Sequence, residues 1–179
     1  MLTEQKDILP TSQNKEKAYL IPNFLPASKV IYDDSKVEIM DICIKTLNGD
    51  IVNALIHGEK YFYCYTLKFH AECQEIAFGM SIKTEKGFQI TTTGSKHYDT
   101  VINQTSIGDT YTIQWEFICL LTAGVYYANA GTTHQVKNKR QILNRVIDSL
   151  AFKVLPLSTK IHGVVSLQQS PSYHLIHKE

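Results

Sequence analysis

Apolar and polar residues alternate with a period of two along most of this chain from residue 36 onward, the pattern of strands that bury one face. The clearest run is Tyr61, Tyr63, Tyr65, Leu67 and Phe69, interleaved with Phe62, Cys64, Thr66, Lys68 and His70. A second sets Tyr111, Ile113, Trp115, Phe117 and Cys119 against Thr112, Gln114 and Glu116. Further strands are predicted over 36–47, 51–56, 76–84, 88–93, 99–103, 125–133 and 146–155. Within 36–47 the apolar phase slips from Val37 and Ile39 to Met40, Ile42 and Ile44, which predicts a β-bulge. Turn signals such as Asn48-Gly49-Asp50, Glu85-Lys86-Gly87 and Ser106-Ile107-Gly108-Asp109 separate the runs. The charged segment 137–145 predicts a loop or one helical turn. Strands do not alternate with helices, so a parallel α/β sheet is disfavoured. The expectation is all-β: an antiparallel β-sandwich of about eight to ten strands.

The first 35 residues are polar and then punctuated by Pro10, Pro22 and Pro26. They predict a linker or N-terminal arm, and with it a chain cut from something longer. The sandwich is expected over 36–168, and residues 169–179 as a tail. A length of 179 residues suits one domain. The formal net charge of +1 supplies no overall field to draw in nucleic acid or an anionic membrane. No apolar run approaches a membrane span, and residues 1–17 lack the apolar stretch of a secretory signal. The expected location is therefore the cytoplasm. Of the cysteines, Cys43, Cys64 and Cys119 fall in strand-like runs and Cys73 outside them. None forms a CxxC pair, and in a reducing compartment they read as free thiols. His70 and Cys73 have a loosely metal-like spacing, but no second close pair completes a zinc site.

Motifs for chemistry are missing. There is no P-loop, dinucleotide fingerprint, nucleophile elbow, HExxH helix or EF-hand loop. No cofactor is implied, and no catalytic machinery is expected. Glu116, on the polar side of its strand, is the one acidic residue placed for glycosidase-like work.

The ten tyrosines allow two readings. A tyrosine can stack on the apolar face of a sugar, or it can fill a core with its hydroxyl paired. Tyr61, Tyr63, Tyr65, Tyr111 and Tyr126 share a phase with core residues, as does Trp115, and all of these are read as core. Tyr127 is out of phase and shares its face with Asn129, a natural partner for sugar hydroxyls. In the 76–93 hairpin, Lys83, Gln89, Thr91 and Thr93 line a polar face if Phe88 and Ile90 are core. His134 and Gln135 are weaker candidates. Such rows suit an extended polyhydroxyl ligand; they also suit a plain solvated sheet face. The competing class is a protein–protein interaction or assembly module that offers a sheet edge to a peptide. A long apolar edge and no polar face would mark it.

Several segments, in order, resemble one family: Ala77-Phe78-Gly79-Met80-Ser81-Ile82, Lys86 to Thr93, Gly108-Asp109-Thr110 before the Trp115 strand, and Leu120 to Tyr126. Leu150-Ala151-Phe152-Lys153-Val154 and Gly163-Val164-Val165-Ser166-Leu167 close the series. The likeness, over roughly 36–168, is to the C-terminal domain of Wzt-type proteins, nucleotide-binding subunits of ABC transporters that export O-antigen polysaccharide. It implies an immunoglobulin-like sandwich that binds the glycan's non-reducing end and selects it for export. It also implies an ATPase domain ahead of this one, contact with a transporter membrane subunit at the inner face of the inner membrane, and a homodimer that sometimes exchanges an edge strand. The apolar stretch near the C-terminus is a candidate for that exchange. Family ligand residues vary with the glycan, so the candidates Tyr127, Asn129, Gln89, Thr91, Thr93, Lys83 and His134 rest on strand phase alone.

Overall fold

The structure is a computed structural model, and it describes residues 17–136, 139–156 and 162–177. In chain order the strands are β1 (Val30–Asp33), β2 (Val37–Thr46), β3 (Ile51–Val52), β4 (Ala54–Leu55), β5 (Lys60–Phe69) and β6 (Cys73–Thr84). They continue with β7 (Gln89–Gly94), β8 (Ile102–Thr105), β9 (Thr110–Ile118), β10 (Gly124–Val136) and β11 (Lys139–Val154). A 3₁₀ turn, Ser95–Tyr98, joins β7 to β8. The strands form two sheets. The seven-stranded sheet runs β1-β11-β10-β6-β7, with β4 parallel to the end of β11 and β8 on the first half of β6. The four-stranded sheet runs β3-β2-β5-β9. Together they make the expected all-β antiparallel sandwich.

The two inner faces supply the core. Tyr61, Tyr63, Tyr65, Leu67 and Phe69 of β5 are buried against Ile76, Met80 and Ile82 of β6, with Tyr126 and Phe152 beyond. The abundance of tyrosine here has a physical reason: each buried hydroxyl finds a partner, as a low-dielectric interior demands. Tyr63 Oη lies 2.8 Å from Ser149 Oγ. Tyr65 donates to the Gly79 carbonyl at 2.9 Å, Tyr126 to the Thr122 carbonyl at 2.8 Å, and Tyr61 accepts the Ile56 N–H at 2.9 Å. Burial pushes the hydroxyls of Tyr61, Tyr63 and Tyr65 up from the ordinary tyrosine range. Trp115 is half-buried and meets Phe78 and Tyr98 edge-on, at 5.7 and 6.1 Å between ring centroids.

The predicted bulge in β2 is present. Pairing with β5 breaks between Met40 and Cys43, and Asp41 takes a left-handed φ of 53°. Elsewhere the structure corrects the expectations. Residues 139–145 are strand, neither loop nor helix: they continue β11 and pair with β10 through Ile142↔Thr133 and Arg140↔Gln135. Their polarity reflects an exposed hairpin end at 139–142, while Leu143 and Asn144 are buried, and residues 137–138 lie outside the described residues. The N-terminal arm is not all free of the sandwich. β1 pairs with β11, and Tyr19 bridges to Ala54 with hydrogen bonds in both directions. The strand expected at 99–103 falls at Ile102–Thr105 instead. Near the C-terminus, Val164 and Val165 pack on the core, and Val165 bridges to Leu121. Beyond them Tyr173, Leu175 and Ile176 are exposed. No helix of the described residues is long and apolar enough to cross a membrane.

Candidate functional site

Residues directly opposite in an antiparallel pair project from the same side of the sheet. The register therefore fixes what lies on the outer face of the seven-stranded sheet. On β10 the inward residues are Tyr126, Ala128, Ala130 and Thr132, all buried; Tyr127, Asn129, Gly131 and Thr133 alternate outward. Across to β6, Tyr127 opposes Lys83, Asn129 opposes Ser81, and Gly131 opposes Gly79. Across to β7, Lys83 opposes Gln89, Ser81 opposes Thr92, and Gly79 opposes Gly94. On the other side Gly131 opposes Arg145 of β11, which opposes Tyr32 of β1.

A shallow groove of about 100 Å³ opens where the glycine row meets the serine–asparagine row, bordered by Thr92, Thr133, Arg140 and Arg145. The two central glycines differ. A Cβ on Gly79 would stand 2.9 Å from the Thr93 carbonyl oxygen, so β7 excludes any side chain there. A Cβ on Gly131 would meet only the Asn144 carbonyl oxygen, at 3.7 Å. The space above Gly131 is therefore free for something other than this chain.

Next to the groove lies a polar network built on a second bulge. Pairing of β10 with β11 shifts between Ala128 and Ala130, and Asp148 bends out with φ 50°. Its N–H donates to Asn129 Oδ1 at 2.7 Å, and Asn129 Nδ2 donates to Ser81 Oγ at 2.7 Å. The buried carboxylate of Asp148 takes Lys83 Nζ at 2.7 Å and Ser28 Oγ at 2.6 Å. A carboxylate in that position needs those partners, because an uncompensated buried charge is costly. The network ties the N-terminal arm, through Ser28, to the outer face.

The structure brings Gln89, Lys83 and Tyr127 into one row across three strands. It separates the other candidates. Thr91 and Thr93 oppose Ile82 and Met80 and so lie on the core-facing side; Thr92 is the outward residue. The cause is a register shift in the β6–β7 pair between Ile82 and Lys83, together with Phe88, which is 68% exposed in the turn and no core residue. His134 follows the inward phase of β10, is buried, and lies 3.3 Å from Gln141 Oε1. Asn129 faces outward as expected, but both ends of its amide are engaged within the protein. Gln89 likewise donates its amide to the carbonyls of Ile82 and Thr91. Asn129 and Thr93 are among the residues that line the groove, but the alternation missed Gly79, Gly131, Arg140 and Arg145. Gly79 and Gly131 carried a signal, since glycine inside a strand marks close approach of another backbone or a ligand. Arg140 and Arg145 fall in the segment 137–145, expected to be a loop or one helical turn.

Other sites for chemistry are weaker. The four cysteines are free thiols, as expected, although Cys73 opens β6 and Cys119 lies one residue past β9. Among the described residues no cluster of three or more His, Cys, Asp or Glu is placed to hold a metal. His70 faces Glu38 at 3.5 Å. Glu116 is half-exposed and paired with Lys60 at 2.9 Å.

Fold and site define a two-sheet antiparallel β-sandwich with a polar groove on an open sheet face. The chain belongs to the Wzt C-terminal domain family, whose model matches residues 28–167. A solved structure described as the crystal structure of the C-terminal domain of wzt superposes with a TM-score of 0.76. It covers 84% of this chain and 92% of that one, at 20% identity, a likeness that shows the fold. The alkylpurine DNA glycosylase AlkC of Pseudomonas fluorescens, bound to DNA containing an abasic site analog, aligns over 66% of this chain and 30% of that one at 14% identity. Its TM-score of 0.36 carries no argument. A search of curated proteins returns no match.

Proposed function

We propose that this domain binds the non-reducing end of an O-antigen polysaccharide on the outer face of its seven-stranded sheet and so selects the chain for export by an ABC transporter. The observation that carries this reading is the groove above Gly131, a polar hollow on an open sheet face of a Wzt C-terminal domain. The backbone there is bare enough for a sugar ring to approach, and the hydroxyls of Thr92 and Thr133 border it. Tyr127 and Lys83, one row beyond Asn129 and Ser81, extend the same face. Binding is by hydrogen bonding and stacking, with no bond made or broken. Single sugar contacts in such a wet groove are weak; a homodimer presenting two grooves raises the affinity by avidity. In the full-length protein an ATPase domain precedes this one and links it to the membrane subunit on the cytoplasmic side. The test is titration of the purified domain with a panel of O-polysaccharides. One of them binds with saturation, and Tyr127→Ala weakens that binding while leaving the unfolding midpoint in place. A panel that binds nowhere sinks the reading.

One observation favours the competing class of peptide-binding assembly module. Strand β1 is an exposed edge carrying Val30, Ile31 and Tyr32. At four residues it is short, and the polar outer face stands beside it, so the glycan reading is preferred.

A further inference from the structure

The groove has a sign. Two of its bordering residues, Arg140 and Arg145, are cationic, and none of its lining residues is acidic. Arg140 spends one donor, its Nε–H, on Thr133 Oγ1 at 3.0 Å. The Arg145 side chain makes no hydrogen bond or ion pair among the described residues; its cross-strand neighbours are the bare backbone of Gly131 and the ring-bearing Tyr32. Two carboxylates, Asp33 and Asp34, line an adjoining hollow with Arg145. Both are turned to other work: Asp33 accepts the Ser35 N–H at 2.8 Å, while Asp34 accepts the Lys36 N–H and pairs with Lys36 Nζ at 3.1 Å. Neither lies within ion-pair distance of Arg140 or Arg145.

An arginine on a strand is more often a solvated surface charge than a ligand. Three observations separate Arg145 from that default: it borders a concave site, its side chain lacks an internal counter-ion, and its neighbour across the β10 ladder, Gly131, has no side chain to cover it. The net charge of the whole chain is only +1, so the positive potential is local to this wall. A guanidinium carries five N–H donors and no acceptor, in a fork that matches a carboxylate or a phosphate with two parallel bonds.

Resting on the glycan reading above, we propose that the groove selects an acidic sugar, one whose carboxylate or phosphate is held by Arg145 with Arg140 beside it, and that it discriminates against neutral residues of the same shape.

The test is a set of amide chemical-shift titrations of the whole chain with four probes: methyl glucoside, glucuronic acid, glucose 6-phosphate and inorganic phosphate. The expected result is that at least one acidic sugar shifts the amides of Gly79, Gly131 and Arg145 at concentrations where methyl glucoside does not. Arg145→Met weakens that binding about tenfold, the effect of one lost charge-assisted hydrogen bond, and Arg145→Lys restores part of it. The urea midpoint of Arg145→Met stays at the native value, which separates lost binding from lost fold. Raising the salt concentration weakens the interaction, because the site is open to screening. Whichever of glucuronic acid and glucose 6-phosphate binds more tightly identifies the acid. Equal shifts from methyl glucoside, unaltered by Arg145→Met, overturn the charge selectivity and leave the groove a glycan site. Inorganic phosphate binding as well as glucose 6-phosphate reduces the wall to a simple anion site and also overturns the proposal. Silence at the groove with every probe and every O-polysaccharide removes both this inference and the glycan reading.

Discussion

Replacing Gly131 by valine separates the groove's function from its stability. Gly131 lies within β10 with its would-be Cβ 3.7 Å from the Asn144 carbonyl oxygen, an ordinary contact. A Cβ is therefore accommodated without a clash. Glycine inside a strand costs about 0.5–1 kcal/mol in backbone entropy relative to alanine, and valine suits a half-buried pleated surface. Gly131→Val is thus expected to leave stability unchanged or to raise it by about 0.5–1 kcal/mol, with an unchanged urea m-value. Its methyl groups fill the groove of about 100 Å³, so polysaccharide affinity falls at least about tenfold, equivalent to 1.4 kcal/mol. Gly79→Ala, at the cross-strand position, has the opposite effect on stability. Its Cβ lies 2.9 Å from the Thr93 carbonyl oxygen, and displacing β7 costs about 1–3 kcal/mol, as for other overpacked sites. Trp115, the only tryptophan and half-buried between Phe78 and Tyr98, reports unfolding by fluorescence, and calorimetry reports binding. If Gly131→Val binds polysaccharide as the native domain does, the groove is not the site. If it unfolds as readily as Gly79→Ala, the account of the free space above Gly131 is wrong.

Asn129→Ala should lower stability by about 2 kcal/mol, since it leaves the Asp148 N–H without a partner at a buried bulge; a loss below half that size by urea titration would count against the network. Lys83→Met strands the Asp148 carboxylate and is expected to cost about 2 kcal/mol, because Lys83 is part-exposed and the full penalty for a buried charge does not apply. Adding Asp148→Asn to Lys83→Met should recover part of the loss, as a double-mutant cycle would show. Stability should also fall at alkaline pH. Burial raises Cys119 from 9.0 to about 11 and lifts Tyr63 and Tyr65 as well. The unfolded chain releases these protons first, so the Cys119 stabilisation is complete below pH 9.0 and declines up to about pH 11, while the tyrosine contribution is complete below pH 10.0 and goes on declining at higher pH. The Cys119 share of that decline is about 3 kcal/mol, and Cys119→Ala should flatten it; an identical pH dependence in the variant would refute the assignment.

Where packing decides the residue, the sequence was readable. Tyr61, Tyr63 and Tyr65 announce the inner face of β5 because burying alternate positions demands that pattern, and a slip of one position announced the β2 bulge at Asp41. The outer phase of Tyr127 and Asn129 was legible for the same reason. Thr91, Thr93 and His134 lie on the core-facing side, which the sequence did not show because polar residues carry no phase of their own. A threonine on the core side of an edge strand and one on the solvent side look alike, and the register shift beside Lys83 exchanged them. Residues 139–145 were misread because Lys139 to Ile142 are all exposed and a register shift against β10 then falls at Leu143, so the segment shows no apolar alternation although it stays paired with β10.

The groove escaped for a deeper reason. A core is defined by side chains that are present, and its periodicity records them. This hollow is defined by side chains that are absent at Gly79 and Gly131, and absence has no hydrophobic period. The two glycines differ in kind. Gly79 is required by the fold, since the Thr93 carbonyl oxygen forbids a Cβ. Gly131 is not, since its surroundings admit one. A residue that folding would permit to be larger, and whose enlargement should stabilise the strand, is kept small at a position that stability does not explain. On the reading proposed here the explanation is the ligand. The comparison of Gly131→Val with Gly79→Ala therefore asks which glycine serves the sheet and which serves what lies upon it.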